Sequence, residues 1–214
     1  MKQQWNVGIL LYDHVDLTDV SGPYEVFHVA ARAADDAPKL LSTRAASDEH
    51  PFLIRTVSSN GQLLRANNGL RLQPDYAFEQ APAFDIVVIP GSSLIVLDQI
   101  CTQEKEVIRW IARASTHCQL MTSVCTGAFL LAEAGLLDGK RATTHWSAFD
   151  RFEQRFPQIQ LQRTGKFVDE GTIVTAGGVT SGFNMALHVV ERLLGEDAAQ
   201  LTARGIDFQV ASRA

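Results

Sequence analysis

Ser123-Val124-Cys125-Thr126-Gly127 places a cysteine between an apolar run and a helical run, with small residues two before it and two after. That spacing suits a nucleophile elbow, because a sharp strand-to-helix turn leaves no room for bulky neighbours. A thiol on such a turn faces a helix N-terminus, where unpaired N–H groups and the positive end of the dipole favour thiolate over thiol. Cys125 is therefore expected to be a nucleophile that needs no metal; the alternative is the inert buried cysteine common in cores. Cys118 precedes an apolar strand and Cys101 lies in a strand-to-helix connection without small-residue punctuation, so both are expected to be structural. The three cysteines form no CxxC and have no histidine at metal-ligand spacing, which argues against a zinc site and a disulfide framework.

A thiolate that attacks an unsaturated carbon builds negative charge, and two backbone N–H groups from adjacent loops are the usual stabilisers. Thr126 and Ser92 are the candidate donors; an ordinary turn is the other reading of Gly91-Ser92-Ser93. Gly91 belongs to the same loop, and Gly178 and Val179 come from the loop after a later strand, so all are counted with Ser92 as substrate-binding candidates. Asp16 and Asp19 sit in an otherwise uncharged loop after the first strand. A carboxyl there could hydrogen-bond the cysteine and move protons, or simply cap a helix. His145, after Ala142-Thr143-Thr144, reads on its own as a satisfied polar residue, with a Cys–His dyad as the alternative.

These residues need a scaffold that gathers loops. Val7 to Tyr12, Phe52 to Val57, Asp85 to Pro90, Gln119 to Val124 and Thr172 to Ala176 are short apolar runs of the kind buried on both faces of a parallel sheet. Helical patterns alternate with them. One is expected after the loop Asp16 to Gly22, with Pro23 in its first turn. Others run over Glu104 to Ser115, Gly127 to Ala134 with a stop at Gly135, and Thr180 to Leu194 closed by Gly195. Such alternation implies a doubly wound α/β fold. Asn67-Asn68-Gly69 within Gln62 to Pro74 predicts a small β-hairpin, and residues 35–51 an exposed excursion. In open α/β sheets, ligands bind beyond the carboxyl ends of the strands, so the loops holding Asp19, Gly91, Cys125 and Gly178 should share one crevice.

Length and composition bound the rest. The 214 residues suit one domain spanning 1–214, and 46% apolar with 20% charged residues excludes disorder. A formal charge of -5 with scattered Lys and Arg offers no footprint for a nucleic-acid backbone, so a small molecule is the expected partner. No run is long enough for a signal peptide or a membrane span, which predicts a cytoplasmic protein.

The sequence resembles the ThiJ/PfpI superfamily of flavodoxin-like, class I glutamine amidotransferase-like cysteine proteins, and within it the isonitrile (isocyanide) hydratase branch. The resemblance runs from Val7 to about Leu201. It is carried by Asp19 to Phe27, Val88-Ile89-Pro90-Gly91, Ser123 to Ala128, Leu136 to Trp146, and Gly177 to Gly182. It implies a mostly parallel sheet with helices on both faces, and it implies homodimers. It makes Asp19 the acid that hydrogen-bonds Cys125, with Glu25 in the same motif as a competing carboxylate of structural character. Thr126 would contact the catalytic water or intermediate. Peptidase-like members carry His where Thr126 stands, which counts against proteolysis. One departure is Pro90-Gly91-Ser92 where the family usually has Pro-Gly-Gly. The implied reaction is hydration of an isonitrile to an N-substituted formamide through a thioimidate on Cys125, without metal or organic cofactor. The same domain also occurs ahead of helix-turn-helix modules in AraC-like regulators, so a ligand or oxidation sensor is the competing expectation. A glyoxalase- or deglycase-like activity of the same cysteine is a third. Because the sequence ends at Ala214 without such a module, the enzyme is the expectation preferred.

Overall fold

A computed structural model describes residues 4–35 and 50–209. The excursion expected over residues 35–51 lies, apart from its ends, outside the described residues. The chain opens with strand β1 (Trp5–Leu10), helix α1 (Leu17–Val29) and strand β2 (Phe52–Ser58). Short strands β3 (Leu64–Arg65), β4 (Arg71–Leu72) and β5 (Tyr76–Ala77) follow. Next come β6 (Ile86–Ile89), α2 (Leu94–Gln103), α3 (Lys105–Ser115) and β7 (Leu120–Ser123). A 3-10 turn over Cys125–Gly127 leads into α4 (Ala128–Glu133). After β8 (Arg141–Ala142), α5 (Phe149–Arg155) and β9 (Gln160–Leu161), the chain ends its described part with β10 (Phe167–Asp169), β11 (Ile173–Ala176), α6 (Ser181–Leu194) and α7 (Glu196–Gly205).

The main sheet has seven strands in the order β10-β11-β7-β6-β1-β2-β5, all parallel except the β10–β11 pair. Every residue of β6, β7 and β11 is buried, as required of strands covered on both faces. Helices α1, α6 and α7 pack together against the sheet, and α2, α3 and α4 form a second group, so the fold is the flavodoxin-like doubly wound sheet expected from the alternation. The β3–β4 pair is the hairpin predicted at Asn67-Asn68-Gly69, with Gly69 at φ +90°.

The registers bring the site together. Ile89 pairs with Ser123 and Thr175 pairs with Ser123 from the other side, so β6, β7 and β11 end level with one another. Chain direction across the sheet reverses at β1, which lies between β2 and β6. The loops after β1 and β6 therefore meet at this switch point, where the Asp16 N–H donates to Gly91 O at 2.8 Å.

Two expectations are corrected. Helix α1 begins at Leu17, not near Pro23, because Asp16 caps it by accepting the Thr18 N–H at 3.0 Å. Pro23 thus lies in the helix interior, where it leaves the Asp19 carbonyl without its i+4 donor. It survives there because its apolar ring is buried with Val20, Val26 and Phe27 on the inner face. The second correction is α2, which occupies the supposed connection around Cys101. Its run Leu94-Ile95-Val96-Leu97 hides the helical period, and Ser93, accepting from the Val96 N–H, is the start signal.

Candidate active site

The elbow is built from the end of β7. Val124 N–H donates to Ile89 O at 3.0 Å, which carries the chain level with β6 before it turns. Cys125 then adopts φ +58°, the left-handed region that a residue with a Cβ enters at a cost of about 1 kcal/mol or more. Two bonds hold it there: Cys125 N–H donates to Gly177 O at 2.8 Å, and Thr144 Oγ1 donates to Cys125 O at 3.0 Å. Gly127 completes the turn, since a Cβ there would sit 2.2 Å from Ile89 O. The small residue two places after the cysteine is therefore dictated by contact with β6.

Asp19 lies in the first turn of α1 and is completely buried. Its Oδ2 accepts the Gly91 N–H at 2.9 Å, while Oδ1 has no partner within hydrogen-bonding geometry. The Cys125 thiol couples to the same carboxyl. Burial, and after it the charge of Asp16, push the Asp19 carboxyl up from 3.8 to about 7, with Gly91 and the thiol pulling the other way. The acid that the resemblance implies is thus a fully buried residue of a helix rather than of an open loop.

Cys125 titrates opposite to expectation. Burial, and after it the Asp19 charge, push its thiol up from 9.0 to about 12, against the stabilising hydrogen bond of the Thr126 N–H. That rise corresponds to about 4 kcal/mol against the thiolate. A helix N-terminus contributes typically 0.3–1 kcal/mol at exposed sites and at most about 2 kcal/mol, so desolvation wins. The resting group is a thiol beside a carboxyl of near-neutral pKa, a pair able to pass one proton between sulfur and oxygen.

Thr126 and Ser92 are joined reciprocally. Thr126 Oγ1 donates to Ser92 O at 2.6 Å and accepts the Ser92 N–H at 2.9 Å. The Ser92 N–H is thereby engaged inside the protein, which removes it as an oxyanion donor, whereas the Thr126 N–H hydrogen-bonds the Cys125 thiol. The Ser92 hydroxyl in turn donates to His14 O, a bond that a glycine at this position could not make. Gly91 is enclosed: a Cβ would lie 2.5 Å from Thr126 Oγ1 and 3.0 Å from Asp19 Oδ2.

The remaining candidates sit further out. Gly178 and Val179 line a cleft next to the elbow, together with His145. His145 caps a short turn and engages Ser147 through Nδ1 at 2.8 Å, with no hydrogen bond to Cys125. Glu25 is exposed on α1. Asp16 holds its loop by donating its N–H to Gly91 O at 2.8 Å and accepting from Asn67 Nδ2 at 3.1 Å. Cys101 is buried in α2 and pushed up to about 11 by burial, and Cys118 is likewise raised by burial.

Tyr12 was not singled out from the sequence. Its buried hydroxyl donates to Pro90 O at 2.7 Å, and the charges of Asp19 and Cys125 add to the burial that raises its pKa. Its place at the carboxyl end of the first apolar run was the available signal. Thr144 carried a similar signal, as a hydroxyl in Ala142-Thr143-Thr144 directly before His145.

The chain is similar to relatives of known name. An isonitrile hydratase from Pseudomonas putida is 30% identical over 203 residues, covering 94% of this chain and 78% of that protein. The HTH-type transcriptional regulator GbdR of Pseudomonas aeruginosa is 27% identical over 192 residues, which span 90% of this chain and 47% of the regulator. Among solved structures, a ThiJ/PfpI family protein from Pseudomonas syringae superposes with a TM-score of 0.79 at 22% identity, over 99% of this chain and 78% of that one. Drosophila melanogaster DJ-1beta superposes with a TM-score of 0.77 at 18% identity, over 97% of this chain and 100% of that one, and these two likenesses concern the fold. The model of the DJ-1/PfpI family matches residues 6–192, a span that holds Asp19, Gly91 and the Cys125 elbow, and the chain belongs to that family.

Proposed function

We propose that this chain is a cofactor-free isonitrile hydratase acting on a small molecule, working as a cytoplasmic homodimer. The observation that carries the reading is the left-handed Cys125 elbow packed by Gly91 against a fully buried Asp19 carboxyl, whose Oδ2 accepts the Gly91 N–H. Adding a thiol to the terminal isonitrile carbon needs one proton moved from sulfur to that carbon, and nothing else. Asp19 takes the proton from Cys125 as the sulfur attacks and delivers it to the carbon, so that R–NC and the thiol give the thioimidate R–N=CH–S–Cys125. Water then adds to the thioimidate carbon. Loss of the Cys125 sulfur, which recovers its proton, leaves the formamide R–NH–CHO. The Thr126 N–H stands beside the reacting sulfur to oppose charge that builds there. Gly91, Ser92, Gly178 and Val179 shape the surroundings, Ser92 by fixing Thr126 rather than by meeting substrate.

The 30% identity to the Pseudomonas putida isonitrile hydratase supports this reading, and the match to GbdR supports a second, a small-molecule sensor built on the same domain. An oxidation sensor fits less well, because it is the thiolate that attacks peroxide and burial disfavours the thiolate of Cys125. Formamide release from a panel of aliphatic and aromatic isonitriles by purified protein, lost in Cys125→Ser, is the expected result. Consumption of methylglyoxal without isonitrile turnover would transfer the cysteine to a glyoxalase-like role. Ligand binding without turnover of either would leave the sensor.

A further inference from the structure

The cleft beside the elbow has about 400 Å³ of free volume, and every titratable group lining it is basic: His145, Arg163 and Lys166. This stands out in a chain whose formal charge is -5. The cleft adjoins the elbow: Gly177, one of its lining residues, accepts the Cys125 N–H at 2.8 Å and donates its own N–H to Lys166 O at 2.9 Å.

The three basic groups are not equivalent. Arg163 is neutralised by Asp150 at 2.9 Å and Glu153 at 2.8 Å, and its guanidinium lies 5.5 Å from the Phe149 ring centroid. His145 is engaged with Ser147. Lys166 has no ion pair and no side-chain hydrogen bond among the described residues, and its exposed ammonium is the charge left over in the cleft. Beside it, Trp146 is 72% exposed and offers an aromatic surface on the same cleft.

We propose that this cleft selects substrates that carry an anionic group on an aromatic or apolar body, a carboxylate being the simplest, with Lys166 as the specificity-determining residue. The proposal rests on the hydratase reading for the identity of the reactive group, but the charge preference stands on the cleft alone. Positive potential in a cleft raises the local concentration of anions and falls with ionic strength.

The test compares two isonitriles of one shape, benzyl isonitrile and its 4-carboxylate, by kcat/KM. The ratio of anionic to neutral substrate should drop about fivefold in Lys166→Met, as expected for one partly exposed charge pair, and should hold in Lys105→Met. It should also drop in the wild type at 0.5 M salt. A second arm measures Cys125 alkylation by iodoacetate against iodoacetamide, followed by intact mass, and the same substitution should lower that ratio about twofold. If no isonitrile is turned over but the alkylation ratio falls, the hydratase reading fails and the anion preference stands. An unchanged ratio in Lys166→Met, in whichever arm reports, overturns the proposal.

Discussion

Gly91 donates its backbone N–H to Oδ2 of Asp19 at 2.9 Å, across the switch point that separates the loop after β6 from the first turn of α1. The bond orients a buried carboxyl whose other oxygen is left unpartnered, and so makes the acid available to Cys125. Asp19→Asn keeps the shape and the Gly91 bond but cannot carry the proton. Isonitrile turnover should fall by about 10²–10⁴-fold. Iodoacetamide alkylation of Cys125 at pH 9 should instead become faster, because the Asp19 charge that raises the thiol pKa is gone. Slower alkylation with normal turnover would show that Asp19 is not the working acid.

The same pair sets the pH profile. The proposed mechanism needs one proton on the pair, so kcat/KM should climb with pH up to about 7 and level off above it. Asp16 adds to the rise in the Asp19 pKa, and Asp16→Asn should move that acid limb to lower pH while changing the plateau little. A limb that stays in place would mean that the titration belongs to another group.

Stability should run against this profile. Below about pH 3.8, Asp19 is protonated in both folded and unfolded chains and contributes no difference. As pH rises toward 7, the unfolded chain ionises while the folded one keeps its proton, so the native state loses up to about 4 kcal/mol and then levels off. Asn has no such penalty. Urea midpoints of Asp19→Asn should exceed those of the wild type at pH 8, with the gap closing by pH 4. Equal midpoints at pH 8 would contradict a buried, raised carboxyl.

A methyl group at Gly91 tests the enclosure. Its Cβ would lie 2.5 Å from Thr126 Oγ1 and 2.7 Å from Thr126 N, both fixed to Ser92 or to the elbow. Gly91→Ala should therefore displace Thr126 or Asp19, cost about 1–3 kcal/mol in denaturant unfolding, and reduce turnover more than stability alone explains. Full activity in this variant would mean that the loop gives way freely.

Thr126→Val removes the hydroxyl and leaves the buried N–H and C=O of Ser92 without partners. The expected loss is about 1–3 kcal/mol for each group left unsatisfied, together with a weaker grip on the loop beside Asp19. Thr126→Ser should recover most of both stability and rate. If Val and Ser behave alike, the reciprocal bonds to Ser92 do not matter.

What could be foreseen follows the range of the cause. Strands β1, β6, β7 and β11 show as apolar runs, and the elbow shows in the small residues around Cys125, because local sterics alone demand them. Helix α2 was hidden by a run of four apolar residues without period, and the true start of α1 by a proline that misleads about helix position. The titration of Cys125 and Asp19 could not be foreseen, since it depends on burial and on contacts such as Gly91 to Asp19 that join residues 72 apart. Ser92 was assigned to substrate for the same reason: nothing in Gly91-Ser92-Ser93 announces that Thr126 will occupy its N–H.

The left-handed backbone at Cys125 sets stability and reactivity against each other at one position. Glycine would take up φ +58° without crowding a Cβ, and would relieve the strain that β6, Thr144 and Gly177 now hold in place. It would also abolish the thiol. A chain freed from chemistry would have a stabilising route open at residue 125 that one relying on the thiol does not.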